Sequence, residues 1–179
     1  PYLAKLNSEF SSQIEKLENQ IYEQAGETFN IGSPKQLGIV LFENLQLSKK
    51  PKKTKTGQYA TGEDILTELA KEHQIAKDIL AYRSLTKLKS TYVDALPQQV
   101  NPNTLRVHTK FMQTVAATGR LSSVNPNLQN IPIRTAQGRR IRQAFIAKDE
   151  DHILLAADYS QIELRIIAAL SEEDTMMAA

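Results

Sequence analysis

The strongest constraint on the fold is an apolar stripe near the N-terminus. Leu3, Leu6, Phe10, Ile14, Leu17 and Ile21 alternate by three and four residues, which places them on one face of an α-helix over residues 2–25. Gly26 supplies a stop, because glycine tolerates the left-handed conformation that closes a helix. A stripe of this length must be covered by something. The spacing is also that of a heptad seam, so both a packed helical arm and a dimer are open.

The chain itself offers a cover. Ser33-Pro34-Lys35-Gln36 is a helix start with a hydroxyl cap, proline at the first helical position and glutamine to close the capping box. A short helix follows, with Leu37, Val40, Leu41 and Leu45 inward. Residues 47–60 are polar, lysine-rich and broken by Pro51 and Gly57, the pattern of a mobile tip. Thr61-Gly62-Glu63-Asp64 opens another helix. After a break near His73 a long helix runs over residues 75–96, its apolar positions Ile75, Ile79, Tyr82, Leu85, Leu88, Tyr92 and Val93 forming a face wide enough to receive the first helix.

Pro97 and Pro102 end the helical half. Residues 105–112 then alternate, through Leu105, Val107, Thr109 and Phe111, and suit a strand with residues 115–117 as partner. Residues 119–132 are rich in Asn, Ser, Gln and Pro and read as an ordered loop. Residues 139–146 return to a strand. A last helix begins after Ser171-Glu172-Glu173-Asp174. The expected class is α+β: long antiparallel helices over residues 1–96, then antiparallel strands and a strand–turn–helix over residues 97–179.

Composition is that of an ordinary globular chain, with 41% hydrophobic and 23% charged residues. No cysteine is present, which excludes disulfides and thiolate metal sites and is compatible with a reducing compartment. No apolar run reaches the length of a membrane span. Charge is segregated: residues 106–148 hold eight Lys and Arg and no Asp or Glu. Lys49, Lys50, Lys52, Lys53 and Lys55 form a second acid-free cluster. Cations grouped in this way suit a polyanion, because neutralising phosphates releases counterions. For the lysine cluster, a solvated loop is the competing reading.

Near the C-terminus an apolar run, residues 153–157, ends at Asp158, and Ser160 and Glu163 then make the S-x-x-E pattern of a helix start. Ile162, Ile166, Ala169 and Leu170 fall on one face of that helix. A carboxylate at the end of a buried strand is rigidly held yet accessible, as a hard divalent cation requires. By spacing alone, the favoured readings are a turn residue for Asp158 and half of a capping box for Glu163.

Three strings go further. Asp158-Tyr159-Ser160-Gln161-Ile162-Glu163-Leu164-Arg165, Thr118-Gly119-Arg120-Leu121-Ser122-Ser123 and Asn125-Pro126-Asn127-Leu128-Gln129-Asn130-Ile131-Pro132, in their chain order, resemble the family A DNA polymerases of bacteria. The resemblance extends back through Lys87-Leu88-Lys89-Ser90-Thr91-Tyr92 and Ser33-Pro34-Lys35-Gln36-Leu37, covering nearly the whole chain. It implies a thumb subdomain over residues 1–96 and the first part of a palm over residues 97–179. It also implies a template-directed enzyme that adds deoxynucleotides to a primer 3′ end, active in replication or repair in the bacterial cytoplasm, with no membrane partner.

Roles follow from the resemblance residue by residue. Asp158 and Glu163 are the expected catalytic residues. Asp158 and the Tyr159 carbonyl are expected to hold Mg²⁺ in a two-metal site, and Tyr159, Ser160, Gln161 and Glu163 to meet the nucleoside triphosphate. Primer-template DNA is expected at Lys87, Lys89, Ser90, Thr91, Arg120, Asn127, Gln129, Asn130, Arg134, Arg139 and Arg140. Donors such as Arg120 and the loop amides suit the minor-groove acceptors that every correct base pair presents. The family's cationic nucleotide-binding helix and its His-Asp-Glu motif have no counterpart in these residues. The chain is therefore expected to be a fragment that is inactive alone, a monomer or weak non-specific oligomer.

Overall fold

The structure is a computed structural model, and it describes residues 1–178. The chain divides into two compact units, Pro1–Ala144 and Phe145–Ala179.

In the first unit α1 (Tyr2–Ala25) ends at Gly26, whose φ of 73° lets its N–H reach the Tyr22 carbonyl. Leu6, Phe10 and Ile21 on the stripe are at most 1% exposed. Their cover is α4 (Gln74–Leu88), which lies along α1. The chain covers its own stripe, so the apolar surface that a dimer seam needs is already used.

The core gathers Ile21, Ile31, Leu37, Leu41, Phe42, Leu66, Ile75 and Ile79. Helix α2 (Pro34–Ile39) is capped by Ser33, whose hydroxyl accepts from the Gln36 N–H at 3.4 Å. The reciprocal half of the box is not made: Gln36 Oε1 accepts from the Asn30 N–H at 2.7 Å instead. A π turn, Val40–Asn44, follows. Residues 47–60 carry one antiparallel bridge, Lys53 to Tyr59, and the Tyr59 ring packs 5.2 Å from Phe42, so this stretch is pinned at its base. Helix α3 (Glu63–Leu69) starts from Gly62, later than Thr61. Thr61 is buried, and its carbonyl accepts from Arg83 Nη1 at 2.5 Å.

Helix α4 passes into a π-helical segment, Lys89–Asp94, and then α5 (Ala95–Gln98). A π turn stacks residues five apart, and Lys89 Nζ accordingly sits 3.0 Å from both carboxylate oxygens of Asp94.

Two small antiparallel sheets come next: β1 (Val100–Asn101) with β2 (Arg106–Val107), and β3 (Lys110–Met112) with β4 (Ser122–Val124). The strand expected over residues 105–112 is therefore split, and residues 115–117 are not its partner. They lead into a turn closed by the Gly119 N–H on the Ala116 carbonyl at 3.0 Å, and only after that reversal can the chain return as β4.

Residues 139–146 are not a strand either. Helix α6 (Ala136–Arg142) forms there because Thr135 caps it, accepting from the Gly138 N–H at 3.0 Å. Its buried side is Gly138 and Ile141. A Cβ on Gly138 would stand 2.7 Å from Pro132 Cβ, so glycine is what permits this close approach.

In the second unit residues 153–157 join no ladder, and Ile153, Leu154 and Leu155 are 85%, 66% and 86% exposed. Helix α7 (Ile162–Ser171) starts from Gln161, which is left-handed at φ 49° and gives no side-chain cap. Ser160 thus lies one residue before the cap position, and the expected S-x-x-E box does not form. Ala168 is the buried residue of α7, while Ile162, Ile166 and Leu170 stay exposed. Helix α8 (Asp174–Met177) is capped by Glu173, which accepts from the Met176 N–H at 2.8 Å.

Candidate nucleic-acid interface

On the helical side a cleft of about 800 Å³ opens beside α4. Arg83, Lys87 and Ser90 line it from the helix, with Thr54, Gln58 and Gly62 among the residues opposite. Arg83, Lys87 and Ser90 are spaced four and three apart, so one helical face presents two cations and a hydroxyl. Arg83 escaped the sequence reading, although that spacing was the available signal. Burial pushes its guanidinium down from its ordinary value, and it remains a charged donor. Lys87 and Ser90 are exposed at the cleft, and Thr91 is exposed one residue on. Lys89 is different: its ammonium is committed to Asp94, and its side chain is only 22% exposed.

The loop after β4 is built by hydrogen bonds. Ser123 is fully buried. Its hydroxyl lies 2.7 Å from that of Thr109 and accepts from the Leu128 N–H at 3.0 Å. Gln129 braces the loop at both ends of its amide, with Oε1 accepting from the Ser123 N–H at 3.1 Å and Nε2 donating to the Leu121 carbonyl at 3.3 Å. Asn127 Oδ1 accepts from the Gln129 N–H at 3.0 Å. Asn127 and Asn130 nevertheless stand exposed. Asn127, Gln129 and Asn130 share this one loop, and Gln129 has a bracing task in it. Ser123 and Thr109 were missed, because a serine in a polar loop carries no sequence mark of burial.

The arginines in and just before α6 separate in the same way. Arg134 and Arg139 are exposed, with Arg139 Nη1 donating to the Arg134 carbonyl at 3.1 Å. Arg140 pairs with Glu9 of α1, and Tyr2 donates to its carbonyl at 3.1 Å. The Arg140 hydrogen bond holds the Glu9 carboxyl below its ordinary value of 4.5. Arg120 is exposed just before β4.

In the second unit Asp158 and Tyr159 lie on irregular, exposed chain immediately before the turn into α7. Arg165 Nε donates to the Ser160 carbonyl at 3.0 Å and the Arg165 N–H to the Gln161 carbonyl at 3.1 Å, so one residue ties back both members of that turn. Glu163 is in the first turn of α7. Among the described residues no group of three or more His, Asp or Glu side chains is placed to hold a metal ion. Among the described residues no helix is long and apolar enough to cross a membrane.

The family model described as DNA polymerase family A matches residues 1–179. The chain belongs to that family. DNA polymerase I of Geobacillus stearothermophilus is 54% identical over 177 residues, which are 99% of this chain and 20% of that protein. DNA polymerase I of Pseudomonas aeruginosa is 57% identical over 172 residues, 96% of this chain and 19% of that protein. Among solved structures, the POL domain of Pol1 from M. smegmatis in complex with DNA primer-template and dNTP matches with a TM-score of 0.85 and 49% identity, covering 99% of this chain and 31% of that one. This family A chain thus spans about a fifth of the length of the curated relatives it matches. It shares with that polymerase domain its mixed fold of helices and small antiparallel sheets.

Proposed function

We propose that this chain is part of a longer DNA polymerase of the polymerase I type, which adds deoxynucleotides to a primer 3′ end on a template in the bacterial cytoplasm. Residues 1–96 act as its thumb and residues 97–179 as the first part of its palm. The observation that carries the reading is the family match over every residue, together with the similar polymerase domain solved in complex with DNA primer-template and dNTP.

The chain's own chemistry supports it. The cleft with Arg83, Lys87 and Ser90 offers cations and a hydroxyl to a phosphate backbone. The exposed amides of Asn127 and Asn130, with Arg120, offer donors to minor-groove acceptors. Ser90, Thr91, Arg134 and Arg139 extend the backbone contact, whereas Lys89, Gln129 and Arg140 contribute mainly by holding the surface in shape. Asp158 and the Tyr159 carbonyl are this segment's share of a Mg²⁺ site that acids elsewhere in the polymerase complete. The turn of Tyr159, Ser160, Gln161 and Glu163 meets the incoming nucleotide.

Asp158→Ala in the longer polymerase tests the reading. Loss of a catalytic carboxylate at a phosphoryl-transfer site costs several kcal/mol, so incorporation should fall by about 10³-fold or more. Primer-template affinity should stay within about twofold, because Asp158 is not among the backbone contacts. Templated incorporation at the wild-type rate would overturn it.

A further inference from the structure

The two surfaces that would meet a duplex, the α4 cleft and the loop after β4, are joined by a side chain given no role above. Tyr92 is buried in the π-helical segment, directly after Lys89, Ser90 and Thr91. Its hydroxyl donates to the backbone carbonyl of Asn130, 38 residues further along the chain. Burial pushes the phenol above its ordinary value of 10.0, so it remains a donor throughout the neutral range.

The loop does not need Tyr92 for its shape. Ser123, Asn127 and Gln129 close it internally. The π segment in turn is anchored on its other side: Asp94 accepts from Lys89 and also from Asn7 Nδ2 of α1. A loop closed by its own hydrogen bonds and a helical segment anchored on α1 are thus linked by the Tyr92 hydroxyl.

We propose that Tyr92 is a positioning residue that locks the loop carrying Asn127 and Asn130 to the helix carrying Lys87 and Ser90, so that gripping the DNA backbone also aligns the terminal base pair. The proposal rests on the polymerase reading above. A rigid link turns backbone contacts into alignment. Misplacing a reacting pair by even a small distance costs rate far more than affinity.

Tyr92→Phe removes only the hydroxyl and keeps the buried ring, so the variant retains its core. In this chain, hydrogen exchange should speed up by about tenfold at the amides of Asn130 and Ile131, with those of Ser123, Leu128 and α4 unchanged. In the longer polymerase, the Kd for primer-template should stay within about twofold, while single-turnover extension from a matched terminus slows by about tenfold and extension from a mismatched one hardly changes. Discrimination between the two termini should therefore shrink. Unaltered exchange at Asn130 and Ile131 would overturn the joint. Equal losses of binding and extension would reduce Tyr92 to a structural anchor. A wild-type protein that cannot extend a primer would overturn the polymerase reading instead, with the exchange measurement still deciding whether the joint exists.

Discussion

Residues 121–132 and residues 153–157 treat burial in opposite ways. The first stretch is mostly Leu, Ser, Asn, Gln and Pro, yet it closes around a serine with no exposed surface. The second is Ile, Leu, Leu, Ala and Ala, yet Leu155 is 86% exposed. The difference lies in where each finds partners for its backbone. The polar loop carries hydroxyl and amide groups that satisfy its own N–H and C=O groups, so it is ordered from within. An apolar segment has no side chain able to do this. It must pair with a neighbouring strand, and none is present among the described residues of its unit.

The largest effect that would sharpen this contrast is a difference between two lengths of protein. In this chain Leu154→Ala should cost less than about 0.5 kcal/mol, as expected for an exposed side chain. In the longer polymerase we expect further strands to cover it, and the same change should then cost about 2–5 kcal/mol, read from the denaturant midpoint. Equal costs in both would mean that residues 153–157 are never covered.

Ser123→Ala attacks the other side. The Leu128 N–H and the Thr109 hydroxyl lose a buried partner, and the expected cost is about 1–3 kcal/mol in urea unfolding, with an unchanged slope. A cost near zero would show that the loop is ordered by something other than its internal network.

A smaller effect is expected in the preceding hairpin, which is also closed by polar side chains. Asn101 Oδ1 accepts from the Asn103 and Thr104 N–H groups, and Leu105 then sits at φ 56° with 80% exposure. Leu105→Gly removes the left-handed penalty at the price of glycine's extra chain entropy, for a net gain of about 0.5–1 kcal/mol. A thermal midpoint higher by a few degrees would register it, and a lower one would mean that Leu105 makes contacts worth more than its strain.

The smallest effect concerns pH. The Glu9 carboxyl is held below its ordinary value of 4.5 by Arg140, so its contribution is present above the unfolded value and lost as pH falls through the lower folded one. The thermal midpoint should therefore drop on acidification below about pH 4.5, and Glu9→Gln should flatten that part of the drop. An identical acid profile in the variant would show that the pair linking α6 to α1 adds nothing.

Local pattern was enough for α1 and α2. The stripe from Leu3 to Ile21, the Ser33-Pro34 start and the stop at Gly26 each state their structure within a few residues, because a helix satisfies its own backbone. The motif strings likewise placed the chain in its family without any coordinates. Strand pairing was not legible in this way. Which of residues 115–117 or 122–124 would meet Lys110–Met112 depended on where the chain could turn, and the cap at Thr135 started a helix where a strand was expected. The same limit applies to individual side chains. Lys87 and Lys89 are equivalent in sequence, but only the fold puts Asp94 beside one and a cleft beside the other. Partners distant in sequence, Glu9 for Arg140 and Tyr92 for Asn130, are set by packing. A residue's type announces what it can bond to, while tertiary structure decides which of those bonds water still competes for.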